Sequence, residues 1–123
     1  MIEKTIQMFT DKEEEFISLL VRIGIRKTIA KALVYIGRLK RATSRDIELG
    51  ADLRQPEVSV AMKYLAGKGW VKSHEVHVEN KGRPIKIWDL NVPVEKILDA
   101  ISREKQAELR ARMEAIRKVR SFA

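Results

Sequence analysis

Cysteine is missing from all 123 positions. Its absence excludes disulfides, thiolate catalysis, cysteine-ligated metals and a thiol redox switch. No run of about 18 apolar residues occurs, so nothing in the sequence spans a bilayer. The N-terminal "MIEKTIQMFTDKEEEF" lacks the basic-then-apolar layout of a secretion signal. The expected setting is intracellular, with no membrane partner. Histidine is scarce: His74 and His77 are the only two. Three apart on a strand, they point to opposite faces, whereas chelation needs same-face spacing and more ligands. No metal and no other cofactor is expected. Glu13, Glu14 and Glu15 are explained as the acidic first turn of a helix. Asp46 and Glu48 belong to capping and surface. No Ser–His–Asp arrangement, glycine-rich phosphate loop or paired catalytic carboxylate can be assembled, so the chain is not expected to be an enzyme.

What is present is basic charge and an ordinary share of apolar residues. Apolar residues make up 45% of the chain, enough for the core of one domain with some extra helix. The formal charge is +8 and the isoelectric point about 9.9. A protein this basic often meets a polyanion, usually nucleic acid and sometimes a membrane surface. The excess is localised. Residues 1–25 carry 3 basic and 5 acidic side chains, residues 26–90 carry 14 and 7, and residues 91–123 carry 8 and 5. The middle of the chain therefore holds most of the positive charge.

Periodicity predicts the elements. Residues 11–23 read as a helix opened by a Thr10/Glu13 capping box, with Phe16, Leu19, Leu20 and Ile23 as its apolar stripe and Gly24 as its end. Residues 27–39 form a second helix with Ile29, Ala32, Leu33, Ile36 and Leu39 on one face. A polar corner, "KRA", follows. Residues 44–50 read as a short helix capped by Thr43 and Asp46, with Gly50 as its stop. Pro56 opens a helix over 56–67 whose Val58, Ala61, Met62 and Leu65 point inward. Residues 70–78 and 85–90 alternate like strands about the turn "ENKGRP" and predict a hairpin. Trp70 and Trp88 are expected in its core. After Pro93, residues 94–120 read as one long helix, with apolar stripes Val94–Ile97–Leu98–Ile101 and Leu109–Met113–Ile116–Val119.

The order helix, helix, short helix, helix, hairpin, long helix is that of a helix-turn-helix followed by a wing. The expected class is mainly α with a small β-hairpin (α+β). In such a layout the second helix of the motif lies in the DNA major groove with its N-terminal residues near base edges. The residues of helix 56–67 left over from the core are then candidates for DNA contact: Gln55 for adenine, Ser59 as donor or acceptor, Val60 for a thymine methyl, and Lys63 with Arg54 for phosphate. Thr43, Ser44 and Arg45 sit at the N-terminus of the preceding helix, a natural phosphate contact. Lys81 and Arg83 make a cationic hairpin tip for the backbone or minor groove.

The stretch "TSRDIELGADLRQPEVSVAMKYLAGKGWV", followed by "NKGRPIKIWDL", resembles winged helix-turn-helix regulators of the MarR, ArsR and TrmB type, especially small archaeal relatives. The resemblance covers about residues 26–90. It implies a dimeric transcriptional regulator and places DNA contact on Gln55, Pro56, Ser59, Lys63, Lys81 and Arg83; the expected location is the cytoplasm, associated with the nucleoid. Many relatives carry a basic residue after the serine of the recognition helix; here it is Val60, and Glu57 adds a negative charge nearby. The resemblance leaves room for a small-molecule effector, for which no residue argues.

A helix of about 27 residues extends roughly 40 Å, more than a small domain's core can cover. Pairing with a second copy is the simplest remedy, and a two-fold dimer reads a palindrome. The expected organisation is an N-terminal helix (1–25), a winged helix-turn-helix (26–90) and a dimerisation helix (91–123). The candidate interface residues are Phe16, Leu20, Ile97, Leu98, Ile101, Leu109, Met113 and Ile116. The competing expectation is a winged-helix protein–protein module, since fold alone does not settle function. The polar exposed face of helix 56–67 favours DNA.

Overall fold

The computed structural model describes residues 9–77 and 82–123. The chain forms two units, one closing at Pro93 and one running from Val94 to Ala123. The described elements are α1 (Asp11–Arg22), α2 (Lys27–Leu39), β1 (Arg41–Thr43), α3 (Ser44–Ala51), α4 (Gln55–Gly67), β2 (Val71–Val76), β3 (Ile85–Leu90) and α5 (Val94–Arg120).

Helix α2 is the hub of the first unit, packed against α1, α3 and α4. Its Ile29, Ala30, Ala32, Leu33, Val34 and Ile36 are all buried, which is more than one face. A helix with neighbours on several sides buries more than a stripe. Leu39, expected on the buried face, is exposed because it lies in the last turn, beyond the core. Helix α4 buries Val58, Ala61, Met62 and Leu65, the four positions that its periodicity marked.

Both expected capping boxes form. The Thr10 hydroxyl accepts from the Glu13 N–H, and the Glu13 carboxylate accepts from the Thr10 N–H, each at 3.0 Å. Thr43 and Asp46 make the same reciprocal pair at 3.0 Å and 3.0 Å. Each box satisfies two N–H groups that the first turn cannot bond internally, so both helix starts are written in local sequence.

Three expectations about packing change. In α1 the buried residues are Ile17 and Leu20, while Leu19 and Ile23 are each 48% exposed. The helix lies on α2 by its Ile17–Leu20 side, and Glu13 of that side pairs with Arg38 of α2 at 3.0 Å. Gly50 does not stop α3. The helix continues to Ala51 and ends at Asp52, which takes the left-handed conformation with φ 55°. The polar corner after α2 is a strand, β1, paired antiparallel with β3 through Ala42 opposite Trp88. Three residues are too few to show alternation, so β1 exists only because β3 offers it a partner. The sheet order is β1-β3-β2, a hairpin widened by one short strand.

Gly50 instead makes room for a ring. A β-carbon there would lie 2.1 Å from Cζ of Tyr35. That ring is held edge-on by Phe9, with centroids 6.4 Å apart, and the Arg38 guanidinium lies 5.5 Å from its centroid. Gly50→Ala should therefore displace Tyr35 and destabilise the unit by about 1–3 kcal/mol, the usual cost of overpacking. Urea unfolding reads this directly; an unshifted midpoint would contradict the packing.

The helix-turn-helix α3–α4, backed by α2 and followed by the β2–β3 hairpin, is a winged-helix fold. In the second unit, α5 is one 27-residue helix. No described helix is long and apolar enough to cross a membrane.

Candidate nucleic-acid interface

The site is built from α4 outward. With Val58, Ala61, Met62 and Leu65 in the core, the helix turns its other side to solvent. Gln55, Ser59 and Lys63 are spaced four apart, so they form one row along that side. All three line a cleft of about 250 Å³, together with Val58 of the same helix, Ser44 at the start of α3, and Lys86 and Trp88 of β3. Among the described residues, none of the three row side chains makes a hydrogen bond or ion pair. Pro56 and Val60 are exposed beside the row, and Tyr64 is exposed one turn beyond Val60.

Glu57 does not place a free negative charge in this cleft. Its carboxylate accepts the Arg54 backbone N–H at 2.9 Å and lies 3.6 Å from the Arg54 guanidinium. The Arg54 backbone N–H is the main cause that holds the Glu57 carboxyl below its ordinary value; desolvation is the next largest effect and opposes it, and the Arg54 charge and side chain and Lys31 add to the lowering. Arg54 is thus engaged at the helix start while its side chain stays largely exposed.

The N-terminus of α3 is also occupied by local partners. The Thr43 hydroxyl serves the capping box. The Ser44 hydroxyl accepts from the Trp88 indole N–H at 3.0 Å. Arg45 pairs with Glu48 at 3.2 Å, yet its side chain is mostly exposed. Ser44 therefore ties the wing strand to the helix-turn-helix, and it borders the cleft while doing so.

Strand β3 carries the wing. Alternation along it puts Lys86 and Trp88 on one face. Trp88 is buried, as is Trp70 before β2, which agrees with the expectation that both belong to the core. The Lys86 ammonium lies 5.4 Å from the Trp88 ring centroid, a cation–π contact. Asp89 of β3 links β1 and β2 through its carboxylate. It accepts from Arg41 Nε at 2.6 Å and lies 3.0 Å from His74 Nδ1. The Arg41 hydrogen bond is the main cause of a lowered Asp89 carboxyl pKa. His74 is therefore a partner of Asp89, and His77 lies just past the end of β2.

Arg83 is exposed near the hairpin tip. Lys81, with Val78, Glu79 and Asn80, lies outside the described residues, so the expected wing turn 79–85 is described from Gly82 onward. Of the residues assigned to pairing between copies, Leu20, Ile97 and Ile101 are already buried, and Phe16 and Leu98 are half-buried. Leu109, Met113 and Ile116 are exposed, at 52%, 50% and 57%.

Two features escaped the sequence. Lys86 was not singled out; its i, i+2 relation to Trp88 was the available signal. The Arg41–Asp89–His74 group had no signal, because its members come together only when β1 pairs with β3.

No family model matches the chain, and no curated protein matches it. Solved structures do. A possible transcriptional regulator from Methanosarcina mazei Go1 is 14% identical with a TM-score of 0.52, covering 89% of this chain and 94% of that one. NadR, solved in complex with 4-hydroxyphenylacetate, is 15% identical with a TM-score of 0.51, covering 94% of this chain and 86% of NadR. A transcriptional regulator homologue from Pyrococcus horikoshii OT3 is 15% identical with a TM-score of 0.49, covering 85% of this chain and 97% of the other. At these identities the first two, with TM-scores above 0.5, show a likeness of fold alone.

Proposed function

We propose that this protein is a homodimeric, sequence-specific, double-stranded-DNA-binding transcriptional regulator of the MarR-like kind, acting on the nucleoid. It binds rather than catalyses. The row Gln55–Ser59–Lys63 along α4, with Gln55 and Lys63 exposed, Ser59 half-buried, and no side-chain partner among the described residues, carries the reading. Gln and Ser are suited to base edges and Lys to phosphate. Pro56 and Val60 flank the row, with Val60 placed for a thymine methyl. Arg54, Thr43, Ser44 and Arg45 border it from the helix starts, and Arg83 adds a cation near the hairpin tip; Lys81 is assigned to DNA contact from the sequence alone. The surplus charge of residues 26–90, net +7, supports the same partner. Structural likeness to a possible transcriptional regulator adds support.

The test is fluorescence anisotropy over a salt series, with a random duplex and the DNA upstream of the protein's own coding region as probes. Steep salt dependence and tighter binding to the upstream DNA are expected. No binding even at low salt would overturn the reading. Reversing the charges of Lys81 and Arg83 should weaken binding to both probes and flatten the salt slope by about 0.9 for each phosphate no longer neutralised. An unchanged slope would remove the wing tip from the mechanism.

One observation favours a second reading, a protein–protein module. Val60 and Tyr64 expose 53% and 37% of their surfaces one turn apart on α4. Such a pair could anchor a protein partner, and a chain that fails to bind DNA would point there.

A further inference from the structure

We propose that Lys63 and Lys86 together seat one DNA backbone phosphate, between α4 and wing strand β3. The inference rests on the DNA-binding reading above and adds a contact on the body of the wing, separate from its tip. Both lysines line the same cleft of about 250 Å³, one from the helix and one from the strand. Two lysine side chains bring positive charge to the cleft from both sides, and an anion seated there gains two charge-assisted contacts.

Lys86 is prepared for this role. Its neighbour across the sheet is Glu75, opposite it in the β2–β3 register. Yet among the described residues Lys86 makes no ion pair, and its ammonium lies over Trp88 at 5.4 Å from the ring centroid. Trp88 is itself fixed, buried in the core and donating its indole N–H to Ser44 at 3.0 Å. A lysine that normally samples many rotamers is therefore held on a rigid platform beside the recognition row. Part of the ordering that phosphate binding requires has been completed by folding. Ser59, in the row between Gln55 and Lys63, borders the same space and can donate its hydroxyl to the phosphate.

The experiment uses the full chain, a random-sequence duplex of about 20 base pairs and anisotropy over a salt series, with one neutralised phosphate counting about 0.9 in the slope. Wild type, Lys63→Gln, Lys86→Gln and the double variant are compared. Each single variant should flatten the slope of log K against log salt only partly, since the other lysine still faces the phosphate. The double variant should flatten it by about 0.9, one phosphate's worth, and lower affinity roughly tenfold at about 0.1 M salt. Lys86→Arg should keep the wild-type slope. An unchanged slope in the double variant would overturn the seat. A drop of about 1.8 would mean two separate phosphates and overturn the sharing. Failure of the wild type to bind any duplex would instead overturn the DNA-binding reading itself.

Discussion

Met113→Glu will separate the protein into monomers and lower its affinity for DNA carrying two half-sites by about 10²–10⁴-fold, the advantage that linking two binding modules confers. The distal part of α5 motivates this. Leu109, Met113, Ile116 and Val119 are 52%, 50%, 57% and 70% exposed, and they recur at steps of four, three and three. A contiguous exposed apolar stripe marks an interaction site. Met113 lies in its middle, so a glutamate there must give up its hydration or break the pairing. Phe16, with Leu19 and Ile23 exposed on the same helix, offers a second patch that pairing could cover. Sedimentation equilibrium measures the first half of the prediction and anisotropy the second. Binding to a single half-site should stay unchanged, because α4 and the wing are untouched. A wild type that remains monomeric at about 100 μM, well above nanomolar to micromolar affinities, would sink the dimer. So would a variant that still pairs.

Trp88→Ala carries the largest expected effect on stability, about 3–5 kcal/mol. Trp88 sits on the central strand, opposite Ala42 of β1 and Ser73 of β2. Its indole is buried and its N–H is satisfied by Ser44. Alanine removes the ring, leaves a cavity between the sheet and the helices, and strips Lys86 of its platform. Trp88→Phe should cost less, since it keeps an aromatic plane and removes mainly the hydrogen bond and part of the volume. Chemical denaturation followed by far-UV circular dichroism gives both values. A destabilisation below about 1 kcal/mol for alanine, within the range of ordinary surface changes, would show that the wing is not anchored through this residue. With both folded, the alanine variant should also lack the salt-slope contribution assigned to Lys86.

The helices were legible because their causes are local. A threonine three residues before an acidic side chain makes a capping box whatever the rest of the chain does. Pro56 suits the first turn of α4, and the spacing of Val58, Ala61, Met62 and Leu65 names the buried face. The polar row of α4 was legible for the same reason: once the core positions of the helix are removed, Gln55, Ser59 and Lys63 remain on one line. The two tryptophans, at the start and end of an alternating hairpin, already announced its core. The two apolar stripes of α5 were visible as periodicity; the structure buries Ile97 and Ile101 of the first and leaves Leu109, Met113, Ile116 and Val119 of the second exposed.

What sequence could not decide depends on groups far apart along the chain. Strand β1 is three residues long and forms because β3, more than forty residues later, presents unpaired backbone groups to it. Only that pairing brings Arg41 to Asp89, and only the hairpin brings His74 to the other side of the same carboxylate. Gly50 resembled a helix stop because glycine usually ends helices; the Tyr35 ring, from another helix, gives its missing β-carbon a different purpose. In α1 the stripe Phe16–Leu19–Leu20–Ile23 and the alternative Ile17–Leu20 are both helical spacings, and the position of α2 selected the second. Lys86 became a candidate phosphate contact when the fold laid it on Trp88 and set it across a cleft from Lys63. Hydrogen bonds within a turn and periodicity within an element are encoded by neighbours in sequence, whereas pairing partners, packing against a distant ring and the convergence of two lysines on one space exist only after the chain has closed on itself.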